Sequence, residues 1–217
     1  MKGASVLMLS ASMLAMLMVK PVDASILSED PPKDETCDAR ASAVLQSAAR
    51  NGNTDAQIAL AGTYLNSACG PQDIISAVAL LRSAADAGEI SAAVALGEIY
   101  FSGSVVTRNL SLAKKYLQIA AEANDIGAQH RLGLLLLLDA SDSLQRLEGL
   151  YWLGSAASLG DGFSAASIAM IHERGMYGVR SDPCWSLDWY AAAESLGFND
   201  LSGHHAAQKA VWDEVCY

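Results

Sequence analysis

Proline is scarce in this 217-residue chain: there are five, and three of them fall before position 33. Proline removes an amide donor and clashes with the preceding helical turn, so its rarity leaves long stretches free to be helical. Basic side chains are also few, 14 Lys and Arg against 24 Asp and Glu, for a net charge of −10. A chain this acidic repels phosphate backbones and anionic lipid, which argues against nucleic acid as a partner. No C-x-x-C spacing occurs, so no zinc site is expected. Nucleophile elbow, phosphate loop, zinc triad and dinucleotide fingerprint are all missing, and with them any reason to expect a catalytic residue, a metal or a cofactor. Beyond the N-terminus no segment approaches ~18 uninterrupted apolar residues, so no stable membrane span is expected.

The N-terminus reads as a secretory signal over residues 1–24. Lys2 supplies the positive start, Val6 to Val19 an apolar stretch, and Val22-Asp23-Ala24 a small-x-small cleavage site. An uncleaved amphipathic anchor is the alternative. Residues 25–35, with Pro31-Pro32 among polar neighbours, read as a flexible leader. Without the signal, 12 basic and 23 acidic side chains remain, a net charge of −11.

From residue 36 to 217 the sequence repeats itself. Ala48-Ala49 precedes Gly52, Ala84-Ala85 precedes Gly88, Ala120-Ala121 precedes Asn124, and Ala156-Ala157 precedes Gly160, each step being 36 residues. A fifth copy of the phrase ends at Gly197, one residue late. A fixed period in this range marks a solenoid rather than one compact core. Each repeat divides into two helices. The first carries Ala92, Leu96, Gly97 and Tyr100 in the second copy and Ala128, Leu132, Gly133 and Leu136 in the third. Offsets of 4, 5 and 8 place these on one helical face. Gly97 and Gly133 are packing glycines that admit a neighbouring helix. The first copy has Ala56, Leu60, Ala61 and Tyr64, and the fourth has Ser164, Ile168, Ala169 and His172. Asp73, Asn109 and Asp182 suit N-caps of the second helices, and Gln145 holds that place in the third copy. Gly or Asn closes each second helix.

Four cysteines follow an export signal, which suggests disulfides. Cys37 to Cys69 and Cys184 to Cys216 are each 32 residues apart. Each pair would join the start of one helix to the far end of the next, points that are neighbours in an antiparallel hairpin. Of three connectivities, 37–69 with 184–216 is the one expected; free thiols or a metal site are the alternatives.

The phrase A-x-x-x-L-G-x-x-Y, a turn, then D-x-x-x-A-x-x-W/Y-x-x-x-A-A-x-x-G resembles the Sel1-like repeat family, a relative of the tetratricopeptide repeats. The clearest copy runs from Ala92 through Tyr116 to Asn124, and the resemblance covers about residues 37–217. It implies an all-α, right-handed solenoid of antiparallel helical hairpins with a concave groove. It implies a non-catalytic adaptor that binds a protein or peptide. Exported bacterial members include regulators of sensor kinases and components of motor assemblies, so a monomeric scaffold in the bacterial envelope, periplasmic or secreted, is the expected role. Some cysteine-rich relatives have been described as weak β-lactamases. Ser111 to Lys114 does spell S-x-x-K here, but at ordinary repeat positions, so a weak hydrolase is the alternative reading.

Ten of the 14 aromatic residues lie between 149 and 217. Trp152 and Trp189 align with Tyr116 and are expected in the core. Trp185 and Trp212, together with His172 and Tyr177, are the candidate partner-binding residues, since Trp and Tyr are enriched in binding hot spots. His172 stands where the repeat has tyrosine, which suggests a partly buried role. His204-His205 diverge by ~100° on a helix and make a poor metal pair. His130 has no acid or nucleophile partner evident in the sequence.

Overall fold

A computed structural model describes residues 39–66, 74–198 and Cys216, all within the unit Ala39–Tyr217. The signal and leader, the Cys37–Cys69 pair, Asp73, His204-His205 and Trp212 lie outside the described residues.

Among the described residues there are nine α-helices: α1 (Ala39–Arg50), α2 (Thr54–Asn66), α3 (Ile74–Asp86), α4 (Ile90–Ser102), α5 (Leu110–Glu122), α6 (Ile126–Leu138), α7 (Ser143–Ser158), α8 (Gly162–Arg174) and α9 (Pro183–Ser195). A 3-10 turn, Met176–Gly178, precedes α9. The four first helices α2, α4, α6 and α8 each have 13 residues and begin 36 residues apart. Each helix packs on its neighbours in the chain, most extensively within the hairpins α2–α3, α4–α5, α6–α7 and α8–α9. No helix among the described residues is long and apolar enough to cross a membrane.

One turn recurs between hairpins. The amides of Asn53, Glu89, Asp125, Asp161 and Phe198 donate to the carbonyls of Ala48, Ala84, Ala120, Ala156 and Ala193. In the residue before each amide the backbone is left-handed, at φ +97° in Gly88 and +64° in Asn124. This bonding satisfies carbonyls that a helix end leaves orphaned, and it demands a residue that tolerates positive φ. The same turn starts the next helix. Asn53, Asp125 and Asp161 accept from the amides of Ala56, Ala128 and Ser164, a cap that contributes roughly 1 kcal/mol. Glu89 makes no such cap and instead accepts from Thr54 Oγ1 at 2.8 Å, joining the first and second copies.

Hairpins cross through small residues. A Cβ on Gly97 would lie 2.7 Å from Leu117 of α5. In the third copy Gly133 and Gly149 face each other: a Cβ on either would come within 2.9 Å of the other's carbonyl oxygen. Around these crossings Ala92, Leu96, Tyr100 and Leu132 are buried. Burying one leucine contributes about 1.5–3 kcal/mol. A leucine or isoleucine repeated at each level (Leu60, Leu96, Leu132, Ile168) therefore stabilises the array copy by copy.

Three sequence expectations shift in the details. The third copy's second helix begins at Ser143, capped by Asp142, so α7 is 16 residues long and Gln145 is its third residue rather than its cap. Gln145 Oε1 instead accepts from the Ser141 amide and hydroxyl. The extra residue of the fourth copy lies in its internal turn: Gly103 and Gly175 close α4 and α8 identically, but the Asn109 amide returns to Tyr100 after nine residues and the Asp182 amide to His172 after ten. The deepest position of the second helix is one residue beyond the aromatic expected there. Leu117, Leu153 and Tyr190 are fully buried, while Trp152 and Trp189 are only partly so.

Candidate partner-binding surfaces

The fourth hairpin gathers most of the residues singled out in the sequence. Asp182 caps α9 by accepting from the Trp185 amide, with Pro183 as the first helical residue. Cys184 is thereby placed to bond Cys216. Trp185 is 52% exposed and sets its edge against His172, ring centroids 4.8 Å apart. His172 itself is only 6% exposed, and neither ring nitrogen makes a hydrogen bond. Burial holds its pKa below the usual 6.5, although the Asp182 carboxylate and the Arg180 backbone favour the protonated form. His172 thus supports Trp185 from beneath and does not reach the surface. Tyr177 has left-handed backbone, φ 54°, within the 3-10 turn. Its partly buried ring packs on the cluster of Leu137, Leu153, Ile168 and Ile171. A non-glycine residue in that conformation costs roughly 1–2 kcal/mol, and the packing of its ring offsets this.

Two polar arrangements in this hairpin had no sequence signal. Tyr190 Oη donates to Glu173 Oε2 at 2.6 Å. Burial, then that bond, pushes the phenol pKa far above its ordinary value. In the third copy the equivalent positions are Leu137 and Leu153. The second arrangement is a latch between the third and fourth copies. Ser164 Oγ donates to Asp161 Oδ2 at 2.5 Å, and His130 Nδ1 lies 2.7 Å from Ser164 Oγ and 3.4 Å from Asp161 Oδ2. The hydroxyl's one proton is spent on Asp161, so Nδ1 is the donor toward Ser164. Burial raises the Asp161 pKa, but the bonds from His130 and Ser164 outweigh it and hold the carboxyl below 3.8. A Ser-His-Asp triad needs histidine between the other two. Here serine is in the middle and has no exposed surface, so the trio joins repeats. His130 therefore has both an acid and a hydroxyl partner that the sequence did not reveal.

Ser111 is exposed on α5, on the surface it shares with Lys114 and Lys115. No group of His, Cys, Asp and Glu among the described residues could hold a metal ion.

Exposed apolar side chains concentrate on the lengthened helix. Leu144, Leu147 and Tyr151 of α7 are 74%, 62% and 66% exposed. Spacings of 3 and 4 put them in one stripe. At the other end of the array, a groove of about 350 Å³ opens across α1, α2 and α3, with Leu60, Tyr64 and Leu80 among its apolar lining and Arg50 at its exposed edge.

These features define an α-solenoid of helical hairpins. The Sel1 repeat model matches residues 54–89, 90–125 and 126–161. The chain belongs to the Sel1-repeat proteins, whose repeats generally mediate protein–protein interaction. The fourth hairpin continues the architecture past the matched residues. Similar solved structures include c5321, a protective antigen of uropathogenic Escherichia coli with an SLR fold, at 26% identity and TM-score 0.62, covering 72% of this chain and 33% of that one. A Sel1 repeat protein from Oxalobacter formigenes gives 24% identity and TM-score 0.65, covering 82% of this chain and 50% of that one. The chain thus spans half or less of the length of these two structures. None of the curated proteins matches it in sequence.

Proposed function

We propose that the protein is a non-catalytic scaffold that works as a monomer in the bacterial envelope, periplasmic or secreted, and binds a protein partner through its second half. The α7 stripe carries the reading. Leu144, Leu147 and Tyr151 are large, apolar and exposed on a helix of 16 residues where its equivalents have 13, and exposed apolar patches mark interaction sites. Trp185, half exposed on α9, adds an aromatic anchor of the kind found at hot spots. Trp212 and Tyr177 belong to the same reading, with Tyr177 shaping the turn before α9. Export is supported by the signal-like N-terminus and by the Cys184–Cys216 bridge, a bond that persists in oxidising compartments.

Affinity capture from envelope extracts tests this with three baits. Wild type and Ile75→Asp are expected to recover the same saturable partner, and Leu147→Asp to lose it. Ile75 is 84% exposed at the equivalent position of the first copy, so it controls for a charge placed on an apolar surface residue. Equal recovery by all three baits sinks the α7 surface, and unchanged recovery by Trp185→Ala and Trp212→Ala removes the tryptophans from it.

A further inference from the structure

The groove across α1, α2 and α3 exists because the first copy lacks an aromatic ring that every later copy has. In the second copy Tyr116 of α5 stacks on Tyr100 of α4, ring centroids 6.1 Å apart and planes 9° from parallel. The equivalents of Tyr116 are Trp152 and Trp189 in the later copies and Leu80 in the first. Tyr64, the equivalent of Tyr100, has no ring partner among the described residues and lines the opening instead. Neighbouring positions are also small here. Ala79 and Ser76 stand where the second copy has Lys115 and Leu112. Lys115 Nζ lies 5.2 Å from the Tyr116 ring centroid, closing that level from outside. The remaining volume of about 350 Å³ is within the range of small-ligand sites.

Charge indicates what fills it. The chain carries a net charge of −10, yet the one charged residue among those described as lining this groove is Arg50. The equivalents of Arg50 are Asp86 and Glu122. The position of Arg50 is therefore basic only at this level, whereas at the second level the base is Arg82, which donates to Tyr100 Oη. Gln57 Oε1 lies buried beneath it without a partner, but Gln129 has the same orphan oxygen in the third copy, so that atom belongs to the repeat and says nothing about a ligand.

We propose that this groove receives an aromatic side chain of a protein partner, its ring against Tyr64 and Leu80 and an adjacent carboxylate on Arg50. The ring completes from outside the stack that Tyr100 and Tyr116 make within the second copy. The proposal rests on the protein-binding reading and gives it a second contact, at the opposite end of the described array from α7.

Isotope-labelled full-length protein titrated with N-acetyl-L-tryptophan, which has both ring and carboxylate, tests it. Binding with Kd on the order of 1 mM is expected for a ligand of this size, with amide shifts confined to α1, α2 and α3. N-acetyl-L-tryptophanamide, without the carboxylate, and the Arg50→Gln variant should each bind roughly 2–5-fold more weakly. N-acetyl-L-leucine should not bind. Leu80→Tyr installs the repeat's own aromatic and should abolish the shifts while keeping the helical circular dichroism; Ala79→Lys, which supplies the second copy's lid, should weaken them. Absence of shifts with wild type, equal binding of the leucine derivative, or unchanged binding to folded Leu80→Tyr overturns the proposal. Shifts mapping to α7 and α9 overturn it too, and leave the protein-binding reading standing.

Discussion

At the crossing of its helices the second copy buries Leu96, Gly97, Tyr100 and Leu117, and the fourth hairpin places Ile168, Ala169, His172 and Tyr190 at the same positions. The first set is apolar or small, apart from one phenol whose Oη accepts from Arg82 at 3.2 Å. The second set includes an imidazole with no hydrogen bond and a phenol bonded to a carboxylate. Both hairpins keep the helix register of the repeat. They differ in how they are closed. The second copy has a hairpin on each side. The fourth has the His130–Ser164–Asp161 latch on one side and, from its second helix, the Cys184–Cys216 bridge.

The largest test of this comparison is removal of the bridge. Closing a loop over a sequence separation of 32 residues contributes about 3.7 kcal/mol in the chain-entropy account. Cys184→Ala with Cys216→Ala should lower the protection of α8 and α9 amides in hydrogen exchange and leave α4 and α5 unchanged. If α4 and α5 lose protection equally, the array unfolds as one unit and the distinction between the hairpins fails.

The small-residue crossings come next. Gly149→Ala brings a Cβ 2.7 Å from Leu137 Cγ and 2.9 Å from the Gly133 carbonyl oxygen, and overpacking of this kind costs about 1–3 kcal/mol. Gly62 and Gly154 have open space where a Cβ would go. Alanine at either should stabilise by up to ~1 kcal/mol through helix propensity. Urea unfolding of the three variants measures the contrast; a neutral Gly149→Ala would show that the α6–α7 crossing can relax.

The Glu173–Tyr190 pair sharpens the comparison at lower amplitude. Tyr190→Phe leaves Glu173 short of a buried donor and should cost about 1–2 kcal/mol. Glu173→Leu with Tyr190→Leu rebuilds the third copy's apolar pair and should cost less than the two single changes summed. A strictly additive cycle would mean that the hydrogen bond contributes nothing beyond its members.

The register of the array was legible because it depends on residues with one strong local preference. Glycine or asparagine at the left-handed position and the Ala-Ala doublet recur at a fixed spacing, Asn109 and Asp182 cap second helices as expected, and the first helices begin where that spacing puts them. Gln145 misled because position in the repeat suggested a cap, while Asp142, three residues earlier, makes the stronger one. Trp189 drew attention away from Tyr190 because aromatic type was aligned and depth was not. The latch was invisible for a different reason: His130 and Ser164 are 34 residues apart, and nothing local in either helix indicates that the two meet. Partner-facing surface is the least legible, because exposed apolar positions such as Leu147 obey no rule of the repeat.

Acidification gives the smallest expected effect and separates the two histidine environments. The folded pKa of His172 is below its ordinary 6.5 because burial disfavours the charged ring. The unfolded chain therefore binds more protons as pH falls below about 6.5, and stability supplied by the neutral ring is present above that pH and lost as pH drops toward the folded value. Asp161 loses its contribution in a lower window, below 3.8, as its carboxyl protonates and releases the Ser164 and His130 bonds. Denaturant midpoints of wild type and His172→Phe between about pH 7.5 and 4.5, a range that spans the His172 window and stays above that of Asp161, should converge as pH rises and differ as it falls, the variant losing less. Phenylalanine keeps the ring against Trp185, so parallel curves would show that the buried imidazole is not what makes the fourth hairpin acid-sensitive, and a variant with the steeper loss would reverse the sign of the argument.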